Sequence, residues 1–357
     1  MMDSPYSPLE FALLNDWQRD FPIAAQPFAQ IGAKVGADET PALQGGRAKD
    51  ALLAVADGET AVLDTLGRLQ ARGAISRVGA VFAPRRVGAS TLAALAAPAG
   101  RLEEIAAMVS ARPEVNHNYQ REHQYNLWFV VTAADNATLA QTLAAIEQET
   151  GCGVLSLPLE QEYHIDLGFD LNSAHKHHAW IPDTPVREPD AAEKQLIAAL
   201  QPGLELVARP FARLGERVGM SESEVLMRLA GWLEEGLIKR FGVVVRHHEL
   251  GYRSNAMVVF DVPDADVDRI GRQLAAEPGI TLCYRRIRSL PHWPYNLFCM
   301  VHGRSREEAQ PIIERLGRLT GLPAQALFST RRFKQCGARY FVETRTAQAT
   351  ASGLCND

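Results

Sequence analysis

The sequence predicts an α+β protein made of two tandem repeats, each a winged helix-turn-helix followed by a ferredoxin-like βαββαβ domain. Three observations predict it. Short phrases recur about half a chain apart, each copy opens with helical spacing that runs into a β-branched stretch, and strand and helix patterns then follow in βαββαβ order.

The recurrences come first because they set the domain plan. Pro27-Phe28-Ala29-Gln30-Ile31-Gly32 returns as Pro210-Phe211-Ala212-Arg213-Leu214-Gly215. Gly73-Ala74-Ile75-Ser76-Arg77-Val78-Gly79 returns as Gly236-Leu237-Ile238-Lys239-Arg240-Phe241-Gly242, and Tyr125-Asn126-Leu127 returns as Tyr295-Asn296-Leu297. The offset drifts because the first copy carries extra residues around Thr40 to Gly58 and the second has a longer hairpin turn. One unit has been duplicated and fused. The expected division is a winged-helix unit over 1–88, a ferredoxin-like domain over 89–172, a linker over 173–190, a second winged-helix unit over 191–250 and a second ferredoxin-like domain over 251–345. The linker is read from His175-Lys176-His177-His178 and the punctuation of Pro182, Pro185 and Pro189, a solvated stretch to which no metal is assigned.

In the second copy, Lys194 to Leu200 and Phe211 to Val218 carry apolar residues at helical spacing. Ser221 caps a third helix that runs through Glu234, with Glu224 completing a capping box and Gly236 ending it. The β-branched run from Leu237 to Arg246 is the wing. Strands follow over Ala256–Val262, Ile280–Arg288, Tyr295–His302 and Ala326–Phe333, with helices over Asp264–Ala276 and Ser305–Leu319. The first copy repeats the order, with strands near Thr91, Val115, Tyr125 and Val154 and helices over Arg101–Ala111 and Thr138–Thr150.

Bulk properties narrow the function. The chain has 357 residues and a formal net charge of -5, with a pI near 6.1, so it has no general attraction for nucleic acid or anionic lipid. The third helix carries Glu222, Glu224, Glu234 and Glu235 against Arg228 alone, the wrong sign for a recognition helix. Five cysteines form no C-x-x-C pair, which argues against a zinc knuckle or a disulfide framework. No run is long and apolar enough for a membrane span and no signal peptide opens the chain. A cytoplasmic protein is expected.

Chemistry concentrates in the two hairpins. Between Pro278 and Arg306 there is no Asp or Glu, yet Arg285, Arg286, Arg288, Arg304, Arg306 and His292 all fall there. They alternate with Tyr284, Trp293, Tyr295 and Phe298. Guanidinium forks suit carboxylates, and aromatic faces suit a flat ring, so the mixture fits a macrocycle bearing carboxylates. Strand alternation puts Tyr284, Arg286 and Arg288 on one face, and likewise His117, Tyr119 and Arg121. Such a set is out of place against helices, so it is expected to face a pocket. Tyr125, Tyr295, Asn126 and Asn296 read equally as pocket lining or as core aromatics and turn-fixing amides.

The phrase from Ser221 to Arg240 is similar to the DNA-binding half of the Lrp/AsnC family. Cys283-Tyr284-Arg285-Arg286 with Trp293 to Gly303, and Lys239 to His247, resemble the siroheme decarboxylases. Asn118-Tyr119-x-Arg-Glu-His-x-Tyr-Asn-Leu-Trp-Phe with Gly88 to Leu92 resembles their other subunit type, so the chain is similar to the fused two-subunit form. The resemblance implies siroheme as substrate, conversion to 12,18-didecarboxysiroheme in haem d1 or haem synthesis, and no cofactor beyond the iron of the substrate. Under it, Arg246, Arg286, Arg288 and Arg121 are expected to bind carboxylates, with Tyr125, Asn126, Tyr295 and Asn296 lining the pocket. His247, Tyr284, His117 and Tyr119 are the candidates for proton transfer. The halves are expected to pair within the chain, with no nucleic acid or membrane partner. The competing readings are an Lrp/AsnC-type transcription regulator and a tetrapyrrole-binding module without turnover.

Overall fold

The structure is a computed structural model that describes residues 6–39, 48–83, 85–165, 187–246 and 254–343. The first repeat opens with α1 (Pro8–Asn15), α2 (Pro27–Glu39), α3 (Ala48–Ala71) and the wing strand β1 (Ile75–Phe82). It continues as β2 (Ala89–Leu95), α4 (Leu102–Ala111), β3 (Val115–Arg121), β4 (Leu127–Ala133), α5 (Asn136–Thr150) and β5 (Val154–Ile165). The second repeat follows with α6 (Ala191–Leu200), α7 (Pro210–Val218), α8 (Glu222–Glu234) and β6 (Ile238–Val245). Its second domain is β7 (Ser254–Phe260), α9 (Val267–Ala275), β8 (Ile280–Arg286), β9 (Leu297–Gly303), α10 (Arg306–Thr320) and β10 (Gln325–Gln335). Most of the linker and most of the extra segment from Thr40 to Gly58 lie outside the described residues or their described side chains.

Local chemistry accounts for these boundaries. Ser221 accepts from Glu224 N and Glu224 returns to Ser221 N, so the capping box starts α8 where the sequence placed it. Asp190 and Glu193 do the same for α6. Gly151 and Gly321, both left-handed, close α5 and α10.

The wing departs from expectation. A winged helix ordinarily pairs its wing strands within one unit, but among the described residues each repeat supplies one wing strand, and β1 pairs antiparallel with β6. Gly79 faces Gly242, Val78 faces Val243 and Ala80 faces Phe241. Each residue thus meets the counterpart of its mirror neighbour, and the pseudo-twofold axis passes through the Gly79–Gly242 pair. Helices of both repeats then share one core, with Phe28, Leu66 and Ile75 beside Phe211, Leu229 and Trp232.

The two ferredoxin-like sheets close on each other. Within each repeat the strand order is that of the expected fold, and the long last strands cross over. In β5, Val154–Pro158 pairs with β2 of its own repeat and Leu159–Ile165 with β8 of the other. In β10, Gln325–Phe328 pairs with β7 and Ser329–Gln335 with β3. The result is one eight-stranded closed barrel, β10-β3-β4-β2-β5-β8-β9-β7, which leaves no sheet edge open. Helices α4 and α5 cover one half through Ile105, Val109 and Ile146, and α9 and α10 cover the other through Ile270, Leu274 and Ile313. Side chains on the opposite strand faces point into the barrel.

Candidate functional site

The barrel interior is aromatic on one side and polar on the other. Trp293, from the loop between β8 and β9, is buried at 1% exposure. It packs at 5.0 Å on Trp128, 5.0 Å on Tyr295, 6.2 Å on Tyr125 and 5.4 Å on His123. Phe298, Met257 and Met300 extend this cluster. Tyr125 and Tyr295 are therefore lining aromatics of the interior, packed about a common tryptophan.

Along β3, alternation carries Asn118 outward, where its amide donates to Ala106 O at 3.2 Å and Ser110 Oγ at 3.0 Å on α4. Its neighbours His117, Tyr119 and Arg121 go inward as a set. His117 stacks on Tyr119 with ring centroids 6.2 Å apart, and the Arg121 guanidinium lies 5.8 Å over the Tyr119 ring. Arg121 donates to Leu327 O at 2.9 Å and leans on Asn255 Oδ1 at 3.4 Å. On β8, Arg286 lies 4.6 Å over the Tyr284 ring and donates to Leu157 O at 2.7 Å.

Neither arginine has a carboxylate partner among the described residues. Burial pulls Arg286 below the usual guanidinium value and Arg121 down to about 10. Two cations held over aromatic rings away from water, with donors left over, present a site for anions carried on an apolar ligand.

His117 Nδ1 lies 2.7 Å from Asn116 Oδ1, an acceptor, so Nδ1 carries the proton and Nε2 keeps a lone pair. Burial, reinforced by the nearby charge of Arg77, lowers its pKa to about 4, leaving a neutral ring at pH 7. Tyr119 is buried enough to raise its pKa, so its hydroxyl stays protonated. Among the described residues that hydroxyl has no hydrogen-bond partner.

Two further residues escaped the sequence reading. His302 on β9 accepts at Nε2 from Asn255 Nδ2 at 3.1 Å and meets Thr281 Oγ1 through Nδ1 at 2.9 Å. Burial, with a contribution from Arg121, takes it to about 4. A histidine between Val301 and Gly303 in an apolar strand gives no local signal. Arg77, on β1, reaches its position through the fold alone.

Three expected site residues do other work. Arg288 lies past the end of β8 and is neutralised by Asp261 at 2.9 Å and Asp264 at 2.5 Å, with further bonds to Val262 O and Pro294 O. It clamps the hairpin. Asn126 bonds both N and O of Ala97 at 2.9 Å, and Asn296 bonds both N and O of Val262 at 2.9 Å. Both amides are spent on backbone, which decides for the turn-fixing alternative. Among the other cations of the stretch, Arg285 pairs with Glu160 at 2.7 Å and Arg306 with Glu122, so the counter-charges missing from the sequence window arrive from elsewhere.

Arg246 follows the last residue of β6 and lies against Gly73, with Nε buried and unbonded among the described residues. His247 lies outside the described residues.

The two halves of the interior differ in charge. Opposite Tyr119, β10 places Arg332; opposite Tyr284, β5 places Glu162. Glu162 is ion-paired with Lys239 of β6, and Leu282 stands where the first repeat has His117. The β3–β10 seam is cationic and the β5–β8 seam is neutralised.

Comparisons with known proteins match this organisation. A family model for the AsnC-like ligand binding domain matches 86–164 and 249–334, and one for the siroheme decarboxylase NirDL-like HTH domain matches 10–45 and 193–239. The siroheme decarboxylase NirDL subunit of Paracoccus denitrificans is 43% identical, over 92% of this chain and 96% of its own. The siroheme decarboxylase of Hydrogenobacter thermophilus is 31% identical, over 93% and 94%. A crystal structure of siroheme decarboxylase NirDL with an iron-uroporphyrin III analogue superposes with a TM-score of 0.66 at 27% identity, covering 94% of each chain.

Proposed function

The chain belongs to the siroheme decarboxylase family, and we propose that it is a carboxy-lyase that binds siroheme in the barrel and converts two of its acetate side chains to methyl groups. The observation that carries the reading is the pair Arg121 and Arg286, each over a tyrosine ring inside an aromatic barrel and without a protein carboxylate among the described residues. Relatives over nearly the whole chain are siroheme decarboxylases, and a related structure holds an iron tetrapyrrole analogue. The product reading is 12,18-didecarboxysiroheme, on the way to haem d1 or haem.

Each step takes up one proton and releases one CO2, because the carbon left behind must gain a hydrogen to become methyl. The electron pair of the broken C–C bond passes toward the conjugated macrocycle, so no cofactor beyond the substrate is called for. The protein positions carboxylates and supplies the proton. Arginines that gripped the reacting carboxylate would stabilise the ground state, so Arg121 and Arg286 are assigned to the carboxylates that stay. Tyr119 and His117 stand on the cationic seam as proton donors. The bound polyanion raises the His117 pKa, and a neutral acceptor in the free protein becomes an acid in the complex. Tyr284 plays the matching part beside Arg286. Arg246, just past the wing strand, is assigned to carboxylate binding, and His247, outside the described residues, is kept as a proton-transfer candidate on its sequence alone.

The winged helices are scaffold in this reading. Arg209, Arg213 and Arg217 on and beside α7 are held by Glu222, Glu216 and Glu343, which leaves little positive charge for phosphates. Among the described residues no helix is long and apolar enough to cross a membrane, and a cytoplasmic, nucleic-acid-free enzyme is proposed.

Anaerobic incubation with siroheme, followed by mass spectrometry, tests the function. Loss of two CO2 is the expected result. Binding without a change of mass would make the protein a tetrapyrrole carrier.

A further inference from the structure

We infer that Arg77, on the wing strand β1, is a carboxylate-binding residue of the substrate site, and that the wing thereby supplies the anion-holding corner of the cationic seam. The inference rests on the reading that the barrel takes a polycarboxylate macrocycle.

Three observations carry it. The first is the state of the guanidinium. Arg77 donates from Nη2 to Ala80 O at 3.1 Å, and Nε is buried without a partner. Nothing among the described residues takes the remaining donors, and no carboxylate pairs with it. A guanidinium withdrawn from water with most of its fork unused is costly unless an anion completes it.

The second is its seat. A Cβ on Gly337 would lie 2.9 Å from Arg77 Nη1 and 3.1 Å from Cζ, and one on Gly203 would lie 2.7 Å from Arg77 Cβ. Two glycines from separate connections make the room that the side chain occupies. Gly203 also has φ +102°, a conformation glycine alone adopts freely. Gly337 lies two residues beyond Gln335, the partner of His117 on β10, and Cys336 N donates to Asn116 O at 2.8 Å, so the guanidinium stands by the His117 end of the β3–β10 seam. Its charge also lowers the pKa of that histidine.

The third is the contrast with the other repeat. Arg240 is the counterpart of Arg77, and it spends Nη1 on Gln18 O at 2.6 Å and Val243 O at 3.2 Å. Beside it, Lys239 is paired with Glu162, and Leu282 replaces His117. Both arginines bond the carbonyl three residues on and leave Nε buried without a hydrogen-bond partner among the described residues, but Arg240 also closes on Gln18 O, and no such second acceptor meets Arg77 among the described residues. An Arg77 that served stability alone would be expected to take a second acceptor as Arg240 does.

The test is an anaerobic absorbance titration of siroheme, and separately of iron-uroporphyrin III, into the full-length protein and its R77A, R77K and G337A variants, with melting temperature and steady-state kinetics alongside. R77A is expected to raise Kd and KM by about ten- to a hundredfold, the range of a lost charge-assisted bond. Its melting temperature should fall only modestly, because the lost bond to Ala80 O is offset by removal of a buried, mostly unpaired charge, and R77K should recover part of the affinity. G337A keeps the charge but displaces it, and should fall between the two. Parental affinity for both macrocycles in R77A, with the parent active, would overturn this assignment and leave the decarboxylase reading standing. A parent that binds neither macrocycle would overturn both.

Discussion

Arg121 and Arg286 occupy equivalent places in the two repeats, and each donates from Nη1 to a leucine carbonyl of the opposite repeat, Leu327 O at 2.9 Å and Leu157 O at 2.7 Å. The two leucines are themselves counterparts on β10 and β5. Each arginine therefore ties one repeat to the last strand of the other while its remaining donors face the interior. One side chain serves the closure of the barrel and the binding of anions.

Replacing Arg286 by Ala should abolish turnover and weaken siroheme binding. It also leaves Leu157 O without its donor, a loss of about 1–3 kcal/mol for a buried acceptor, so the melting temperature should fall as well. R286K keeps the charge but not the planar fork and should recover stability better than turnover. The anchor assignment is removed if R286A decarboxylates siroheme at the parental rate.

His117 and His302 predict acid lability. Both are lowered from 6.5 to about 4, chiefly by burial and secondarily by Arg77 and Arg121. Between about pH 6.5 and pH 4 the unfolded chain binds protons on these rings that the folded protein does not. Stability therefore rises with pH through that window, is lost as pH falls through it, and is flat above it with respect to these groups. Melting temperatures from pH 7.5 to pH 4.5 should drop, and His302→Gln, which can still accept from Asn255 and donate to Thr281, should flatten the slope. An unchanged slope in that variant would remove His302 as a source.

Asn296 predicts a purely structural loss. At 1% exposure it satisfies both N and O of Val262. N296A strands two buried backbone groups and should cost about 2–4 kcal/mol. Asn296→Asp keeps the acceptor for Val262 N but sets a carboxylate oxygen against Val262 O, and should be no better. Activity per folded molecule should survive in N296A; its loss at unchanged stability would return Asn296 to the pocket.

Much of this was legible in the sequence where information is local or repeated. The capping box at Ser221 fixed the start of α8, the returning phrases fixed the duplication, and a period of two sufficed to put Tyr119 with Arg121 and Tyr284 with Arg286 on one face. Long-range pairing was not legible. Arg288 read as an uncompensated cation because Asp261 and Asp264, which neutralise it, lie on the far side of α9 in sequence. The wing strand gave no sign that its partner is the other repeat, since β-branched composition carries no address. Arg77 and Arg240 stand in matching phrases, and only their tertiary surroundings give Arg240 a second acceptor, Gln18 O, that Arg77 does not meet among the described residues. His302 was hidden for the same reason, its meaning lying in Asn255 and Thr281.

The Gly79–Gly242 pair supplies a test of how far duplication preserved equivalence. The two glycines face each other across the ribbon, yet their outer surroundings differ. A Cβ on Gly242 would lie 2.3 Å from Trp17 O and 2.7 Å from Gln18 O, against backbone with no way to yield. A Cβ on Gly79 would meet Gly203 Cα at 3.2 Å, a contact that a shift of a few tenths of an ångström relieves. G242A should therefore cost at least about 3 kcal/mol, the upper end of overpacking penalties, and express poorly or melt early. G79A should remain folded, with a cost of about 1 kcal/mol. Circular dichroism melts of the two variants check this, and equal destabilisation would mean that the α1–α2 connection does not press on the ribbon at Gly242. The direction of the difference matters for function, because the same ribbon carries Arg77 and ends at Arg246, so a ribbon pushed away from Trp17 should lose siroheme affinity before it loses secondary structure.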